Sequence, residues 1–597
     1  MSTLAQDKVE KQAPDPKTAK IVFGSIAGLV ALVSVAGGIL AGLVVGLALL
    51  GTPLFAILGG ASELAWLTSK DPDQQVLRRL ASEVFGSRFG GSPILTTIPL
   101  FTFVGYAMAE SKTPERLVRT ATAWVGWMPG GLAIVCVMAS AVFTLFTGGS
   151  GVTIIAVGGL LMPALRKKGY SEDFSLGLVT TGGSLGLLLP FALPLLVYAL
   201  VTGLDFQLVN KAVILPGVLI LMLLAGYSAY RGVKEKIPRV PFDVKEALSS
   251  TWDFKWELGV FVVLVVSIKG IDQTAIDKAA GLVALYTLII EFFVYKDLSI
   301  KKDLVRVAKS SMALAGAVIA ILAMATAFVN YVDQVHLPQK ALDAMIKLGL
   351  DKEWQFLIVM NVFLLVLGMV MDGLSAILIA VPIVLPFAAR FGLNPFHVAI
   401  MFVLNLELAF SAPPLGLNLF ISSFRFTKPV VSLYRVVMPF VGLLTFGLLV
   451  ITYVPSLSYQ LVKPDIAEWR KRAEAEKRTP TEAWFLECVQ LDRNNPQPCS
   501  AEDKKKYPNG QMPAPAVTDT PVVKDAGPPS DDDDLDSLIR GKPTGAKPDA
   551  GAPGSESEDD LLDMIKGGNK DAGAAKKPAP PPGQESDDDL LDMIKKK

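Results

Sequence analysis

Two long apolar stretches, each interrupted by glycine and proline, bound what this chain can fold into. The first, Gly148–Leu196, is too apolar to lie in water, yet Gly148-Gly149-Ser150-Gly151, Gly182-Gly183-Ser184 and Pro190 break it where a plain membrane helix would run on. The second, Met371–Leu419, is built alike. A shift of 223 residues carries Pro163 onto Pro386, Gly169 onto Gly392, Pro190 onto Pro413 and Pro216 onto Pro439 without a gap. Four punctuating residues in one register point to an internal duplication, and paired interrupted segments in two halves point to a carrier's binding site.

Several further apolar runs are long enough to cross a hydrocarbon core, and 51% of the 597 residues are hydrophobic. The expectation is an all-α polytopic membrane protein with an inverted repeat, two re-entrant hairpins and two broken helices. The expected layout is a polar N-terminal tail (1–20) and a first membrane repeat (21–245), whose hairpin and broken span cover about 128–204. A second, inverted repeat (246–456) has its hairpin and broken span at about 354–424. An extramembrane segment (457–509) and a tail expected to be disordered (510–597) follow. Two histidines and three cysteines leave no histidine triad or thiolate cluster, and no phosphate-binding Gly-x-x-x-x-Gly-Lys loop occurs. The pattern is that of a carrier and not an enzyme, with no cofactor, and nothing in it suggests nucleic acid; its surroundings are the lipid bilayer.

Basic clusters set the expected sides. Arg166-Lys167-Lys168 places the open end of the first hairpin in the cytoplasm, and Arg231–Lys245 returns the chain there. The second hairpin, Phe356–Ala389 with its tip near Asp372-Gly373, opens beside Arg390 alone and belongs on the far side. Ile21–Leu67 holds one or two spans, and Gln74–Phe85 is amphipathic. Counting spans onward puts the C-terminal tail in the periplasm, where Cys488 and Cys499 could form a disulfide. Within Pro464–Ala501 a short helix is expected over Ile466–Lys477. The tail repeats one motif three times, Asp533–Arg540, Asp559–Lys566 and Asp588–Lys595, each preceded by a serine (Ser530, Ser557, Ser586); in the periplasm these read either as multivalent docking motifs or as a solvated acidic tail.

A half-helix ending at mid-membrane leaves backbone groups that need a ligand: N-terminal ends favour anions, while C-terminal ends and unwound carbonyls suit Na⁺. The candidates around the first tip are Ser150, Gly151 and Thr153, facing Thr181, Gly182, Gly183, Ser184 and Pro190. Around the second they are Asp372, Gly373 and Ser375, facing Asn405, Glu407, Ser411, Pro413, Pro414 and Asn418. Gly183, Ser184, Asn405 and Ser411 are the candidate Na⁺ ligands, with Na⁺ as the coupling ion. Asp372 and Glu407 are read as the only carboxylates deep in the spans, where charge is costly: each is either functional, or neutral or hydrogen-bonded to a hairpin's loose backbone ends.

Ile98–Ser111, Gly148–Tyr170, Thr180–Pro190, Met371–Pro386 and Asn405–Phe420 together resemble the large membrane subunit of tripartite ATP-independent periplasmic (TRAP) transporters, over roughly residues 39 to 460. The resemblance implies a Na⁺-driven elevator in which hairpins and broken spans move as a unit against a scaffold. It also implies a small four-helix membrane subunit, a periplasmic substrate-binding protein, a small organic anion as substrate and a bacterial inner-membrane location. The first tip reads Gly-Gly-Ser-Gly where the family has a serine-rich turn, and Pro190-Phe191-Ala192 stands where Pro-Pro-Ser is usual. A self-sufficient Na⁺/dicarboxylate carrier, and a membrane receptor signalling through its tail, are the other readings of the same features.

Overall fold

The structure is a computed structural model that describes residues 54–67, 93–239, 241–270, 276–334 and 352–508, with positions 46, 47, 52, 340, 347, 349 and 510 besides. The chain divides into two units, Met1–Ala516 and Val517–Lys597. The second unit, with its three motifs, lies outside the described residues. So do the polar N-terminus, most of the run before Leu54 and the amphipathic stretch Gln74–Phe85.

Every regular element among the described residues is helical. In chain order these are α1 (Leu54–Leu67), α2 (Pro93–Glu110), α3 (Thr113–Val125), α4 (Gly131–Thr147), α5 (Ser150–Lys167), α6 (Glu172–Gly182), α7 (Leu193–Thr202), α8 (Phe206–Lys234), α9 (Val244–Asp253), α10 (Lys255–Gly270), α11 (Ile276–Ile289) and α12 (Asp303–Gln334). The second half continues with α13 (Glu353–Val370), α14 (Gly373–Arg390), α15 (Pro395–Ser411), α16 (Leu417–Phe426) and α17 (Val430–Tyr453), then the short α18 (Ser456–Tyr459), α19 (Lys463–Ala475), α20 (Thr481–Glu487) and α21 (Ala501–Lys506). Six of the described helices are long and apolar enough to cross a membrane.

The duplication is visible element by element. Under the 223-residue shift, α5 falls residue for residue on α14, and Glu172 at the start of α6 falls on Pro395 at the start of α15. Each hairpin is joined to its broken segment through a left-handed glycine, Gly169 at φ 100° and Gly392 at φ 65°, a conformation that a Cβ strains. The broken segments run antiparallel: Glu172, opening the first, pairs with Lys428 just beyond the second at 2.7 Å. At the other end a single short loop, residues 488–499, holds both Gly203, which closes the first, and Leu393, which precedes the second.

The helices form two packed groups. The hairpins α4–α5 and α13–α14, the broken segments and helices α8 and α17 share one large core. Around it α2 packs on α11 and α12, α12 on α1, and α10 on α11, with Val104, Met108, Val260, Leu264 and Val283 buried between α2, α10 and α11. The short helices α3 and α9 lie together between the two groups. Arg119 bridges Glu246 at 2.8 Å and Asp253 at 2.7 Å, and Trp124 donates to Thr251.

Two sequence expectations need correction here. Asp372 and Glu407 are not the only carboxylates in the spans, because Glu257 and Glu291 are fully buried too. Their charge is met by Arg116, which bonds Glu257, reaches Asp297 at 2.7 Å and lies 3.8 Å from the centre of the Tyr295 ring, while Thr113 donates to Glu291 at 3.0 Å. The partners stand more than a hundred residues apart in the chain, so no local pattern announces them. Asp372, for its part, is exposed at the hairpin tip.

Beyond α17 the chain folds further than the one short helix expected. That helix is α19, and α20, α21 and a disulfide between Cys488 and Cys499 complete a small module. Its centre is the fully buried Trp484, whose Nε1 donates to Asp503 at 3.0 Å, while Arg470 bonds both Asp503 and Glu487.

Candidate functional site

The first hairpin turns through Gly148, at φ 63°, whose amide closes the last turn of α4 onto the Thr144 carbonyl at 2.8 Å. Gly149 then opens α5 without any side-chain cap. Its counterpart in the second repeat is Asp372, whose carboxylate accepts from the Ser375 amide and hydroxyl. A residue singled out as a ligand is thus an N-cap in this conformation, serving an end that the first hairpin leaves to glycine. The second tip seats Gly373 against Phe410 of α15.

The first broken segment stops sooner than the second. α6 ends at the Gly182-Gly183 pair, poor helix formers, and continues as a 3₁₀ turn over Leu185–Leu188. At the equivalent place the second segment has Asn405-Leu406-Glu407-Leu408 and stays helical to Ser411, breaking only at Ala412–Gly416. Gly183 is required by close approach, since a Cβ there would meet Ile154 Cγ1 at 2.5 Å and the Ser150 carbonyl at 3.0 Å. This puts Ser150, Gly183 and Ser184 together at the first tip. Thr144 completes the group: its Oγ1 lies 2.7 Å from Thr153 Oγ1 and 2.8 Å from the Gly183 carbonyl oxygen. Gly182 faces Ser140, and Gly151 packs on Ile421 of α16.

The halves meet at one point. Ser184 Oγ, also 3.3 Å from the Thr181 carbonyl oxygen, approaches the Glu407 carbonyl oxygen at 3.5 Å, and these two residues are repeat mates, 223 apart. Repeat mates can touch only near the pseudo-twofold axis, so the centre of the duplication lies at Ser184 and Glu407.

The two broken segments also carry buried oxygens without partners. Thr181 Oγ1, Asn405 Oδ1, both Glu407 carboxylate oxygens, Asn418 Oδ1 and Ser422 Oγ accept no hydrogen bond, and all five side chains are completely buried. Buried acceptors are nearly always satisfied, and an unpartnered buried charge costs on the order of several kcal/mol. Each such oxygen is open to a donor that the protein itself does not supply. Asn405 is held with Nδ2 on Asn361 Oδ1 at 2.6 Å and on the Met401 carbonyl at 2.9 Å, leaving its carbonyl oxygen free. Asn418 Nδ2 donates to Ser411 at 3.2 Å, again presenting its oxygen.

At the break itself Pro190 is half-buried, and Phe191 sits in the left-handed region at φ 72°, its amide held by Asn210 Oδ1 at 2.7 Å. In the other repeat Pro413 and Pro414 occupy this place, and Tyr434 donates to the Pro414 carbonyl at 2.8 Å. Thr144, Asn210 and Asn361 were not singled out from the sequence. Each is a polar residue in a largely apolar helix, and only the partner across the interface reveals its part.

The profile of the family described as "Tripartite ATP-independent periplasmic transporter, DctM component" matches residues 32–457. The chain belongs to this family. It is similar to the C4-dicarboxylate TRAP transporter large permease protein DctM of Vibrio cholerae, 31% identical over 70% of this chain and 95% of that protein. It is also similar to the isethionate TRAP transporter permease protein DctMQ of Oleidesulfovibrio alaskensis, 33% identical over 61% of this chain and 57% of that protein. Among solved structures, the Alcanivorax borkumensis YdaH transporter overlays with a TM-score of 0.47 and 13% identity, over 69% of this chain and 99% of that one. The relatives are transporter permease subunits, not enzymes, and the module after residue 457 lies outside the DctM match.

Proposed function

We propose that this chain is the large subunit of a Na⁺-coupled inner-membrane carrier that takes up a small organic anion by an elevator movement. The anion is a carboxylate by chemical class, delivered by a periplasmic binding protein, and a small four-helix membrane subunit completes the scaffold. The observation that carries the reading is that Thr181, Asn405, Glu407 and Asn418, all on the two antiparallel broken segments, hold fully buried oxygens without partners. Hydroxyl, amide and carboxylate oxygens are the hard donors an alkali cation takes, and a bound cation would in turn favour an anionic substrate beside it. Gly183, Ser184, Asn405 and Ser411 would hold Na⁺. Ser150, Gly151, Thr153, Gly182, Asp372, Gly373, Ser375, Pro190, Pro413 and Pro414 would frame the substrate between tips and breaks. The substrates that two relatives are named for, a C4-dicarboxylate and isethionate, are both small anions.

The test is uptake into proteoliposomes of the chain with its two partner proteins, with and without an inward Na⁺ gradient. Uptake that needs both the gradient and the binding protein supports the reading. Uptake without partners would make the chain a self-sufficient carrier, and Na⁺-independent uptake would remove Na⁺ as the coupling ion. Ligand binding with no uptake would make it a receptor.

A further inference from the structure

At the start of the first broken segment Ser171 is clasped by the end of α8. Its amide donates to Glu235 Oε2 at 3.0 Å, its hydroxyl donates to Glu235 Oε1 at 3.0 Å, and Arg231 bonds both Glu235 and the Ser171 hydroxyl. The repeat shift takes Ser171, Arg231 and Glu235 to Asn394, Val454 and Ser458, so the second repeat has no charged pair with which to make this clasp.

The C-terminal module stands in its place. Asn394 caps α15 with Oδ1, accepting from the Phe396 and His397 amides at 3.0 and 3.3 Å, while its Nδ2 donates to the Leu486 and Glu487 carbonyls at 3.0 and 3.1 Å. Val489 donates to the Leu393 carbonyl at 3.0 Å. Four residues along the same loop, Arg493 donates to the Gly203 carbonyl at 2.9 Å, so close that a Cβ on Gly203 would lie 2.0 Å from its Nη1. Lys211 of α8 pairs with Asp465 of α19 at 2.5 Å. Cys488 and Cys499 close the loop that carries the Leu393 and Gly203 contacts, eleven residues apart. Each anchor falls on the helix group that carries the broken segments, and the module begins where the DctM match ends.

We propose that residues 456–508, beyond the DctM match, are a strap that replaces the missing clasp and ties the start of the second broken segment to the end of the first. Loop 488–499 and Arg493 are then positioning elements: they touch neither ion nor substrate but hold the ends of both half-sites as one body. A cross-link restricts the opened states of a short loop, which makes the disulfide the natural brace for it. The strap itself stands on these contacts alone, and its consequence for uptake rests on the transport reading.

Hydrogen exchange on the full-length protein in nanodiscs tests it. In the paired variant Cys488→Ser with Cys499→Ser, and in the unmutated protein reduced with dithiothreitol after folding, the Phe396 and His397 amides and the turn 203–208 should all exchange at least about tenfold faster. Arg493→Ala should speed exchange at 203–208 only, and Arg493→Lys should restore most of the protection. Faster exchange confined to residues 481–507, with both turns unchanged, would overturn the strap. Because the readout needs no substrate, loss of the transport reading would leave it standing.

Discussion

Glu407 concentrates the chemistry of the chain in one side chain: fully buried, both oxygens unpartnered, and placed at the pseudo-twofold axis where its repeat mate is Ser184. If a cation supplies the missing partner, Glu407→Gln keeps the shape and removes the attraction. The purified variant should stay folded, and stabilisation by Na⁺ over K⁺ in a thermal melt should weaken about tenfold in apparent Na⁺ affinity. An unchanged Na⁺ response would take Glu407 out of the ion site. Gly148 makes a structural counterpart, because its φ of 63° turns the first hairpin and a Cβ there would stand 3.2 Å from Leu193 Cβ. Gly148→Ala should cost about 1–2 kcal/mol in unfolding measurements with no change in ion preference.

The hairpins and breaks were legible in the sequence because glycine and proline act locally: Gly169 and Gly392 permit a left-handed turn, and Pro190 and Pro413 restrict the backbone at the breaks. The Arg116 cluster and the strap were not legible, since Arg116 with Glu257, or Arg493 with Gly203, have meaning only once distant segments meet. Asn394 illustrates the boundary: its Oδ1 capping the next helix is a readable signal, its Nδ2 holding α20 is not. The strap also has a readable pH response. Burial works against the Asp503 charge, but hydrogen bonds from Arg470, Ser500 and Trp484 outweigh it and hold the carboxyl below its ordinary 3.8. A lowered folded value means a contribution fully present above 3.8 and lost as pH falls through the lowered value. Glu487 has the opposite sign, its carboxyl raised above 4.5 chiefly by burial, so acidification through that range does not loosen the module. Limited proteolysis should therefore find residues 456–508 protected at pH 5 and cut only below pH 3.8, the ordinary value of Asp503. Cutting that begins near pH 5 would show that the Arg470–Asp503 bond does not hold the module.

At the scale of the whole molecule the strap adds a constraint that span counting lacks. Leu393, just past the open end of the second hairpin, is bonded to Val489, so this hairpin end and the disulfide share one side of the membrane. The first hairpin's open end, with exposed Lys168, belongs to the opposite side if the repeat is inverted, as the antiparallel broken segments require. Leu393 itself is buried under the strap, which makes the exposed Arg390 the better probe. In cells, Arg390→Cys should be labelled by an impermeant maleimide from the periplasm. Lys168→Cys should be labelled only after the inner membrane is permeabilised. Cys488 should react with the reagent in intact cells only after reduction, as a disulfide formed in an oxidising compartment would. The three outcomes are linked. Labelling of Arg390→Cys and reduced Cys488 from opposite sides would break the contact between strap and hairpin, whereas labelling of Arg390→Cys and Lys168→Cys from one side would end the inverted repeat and leave the strap untouched.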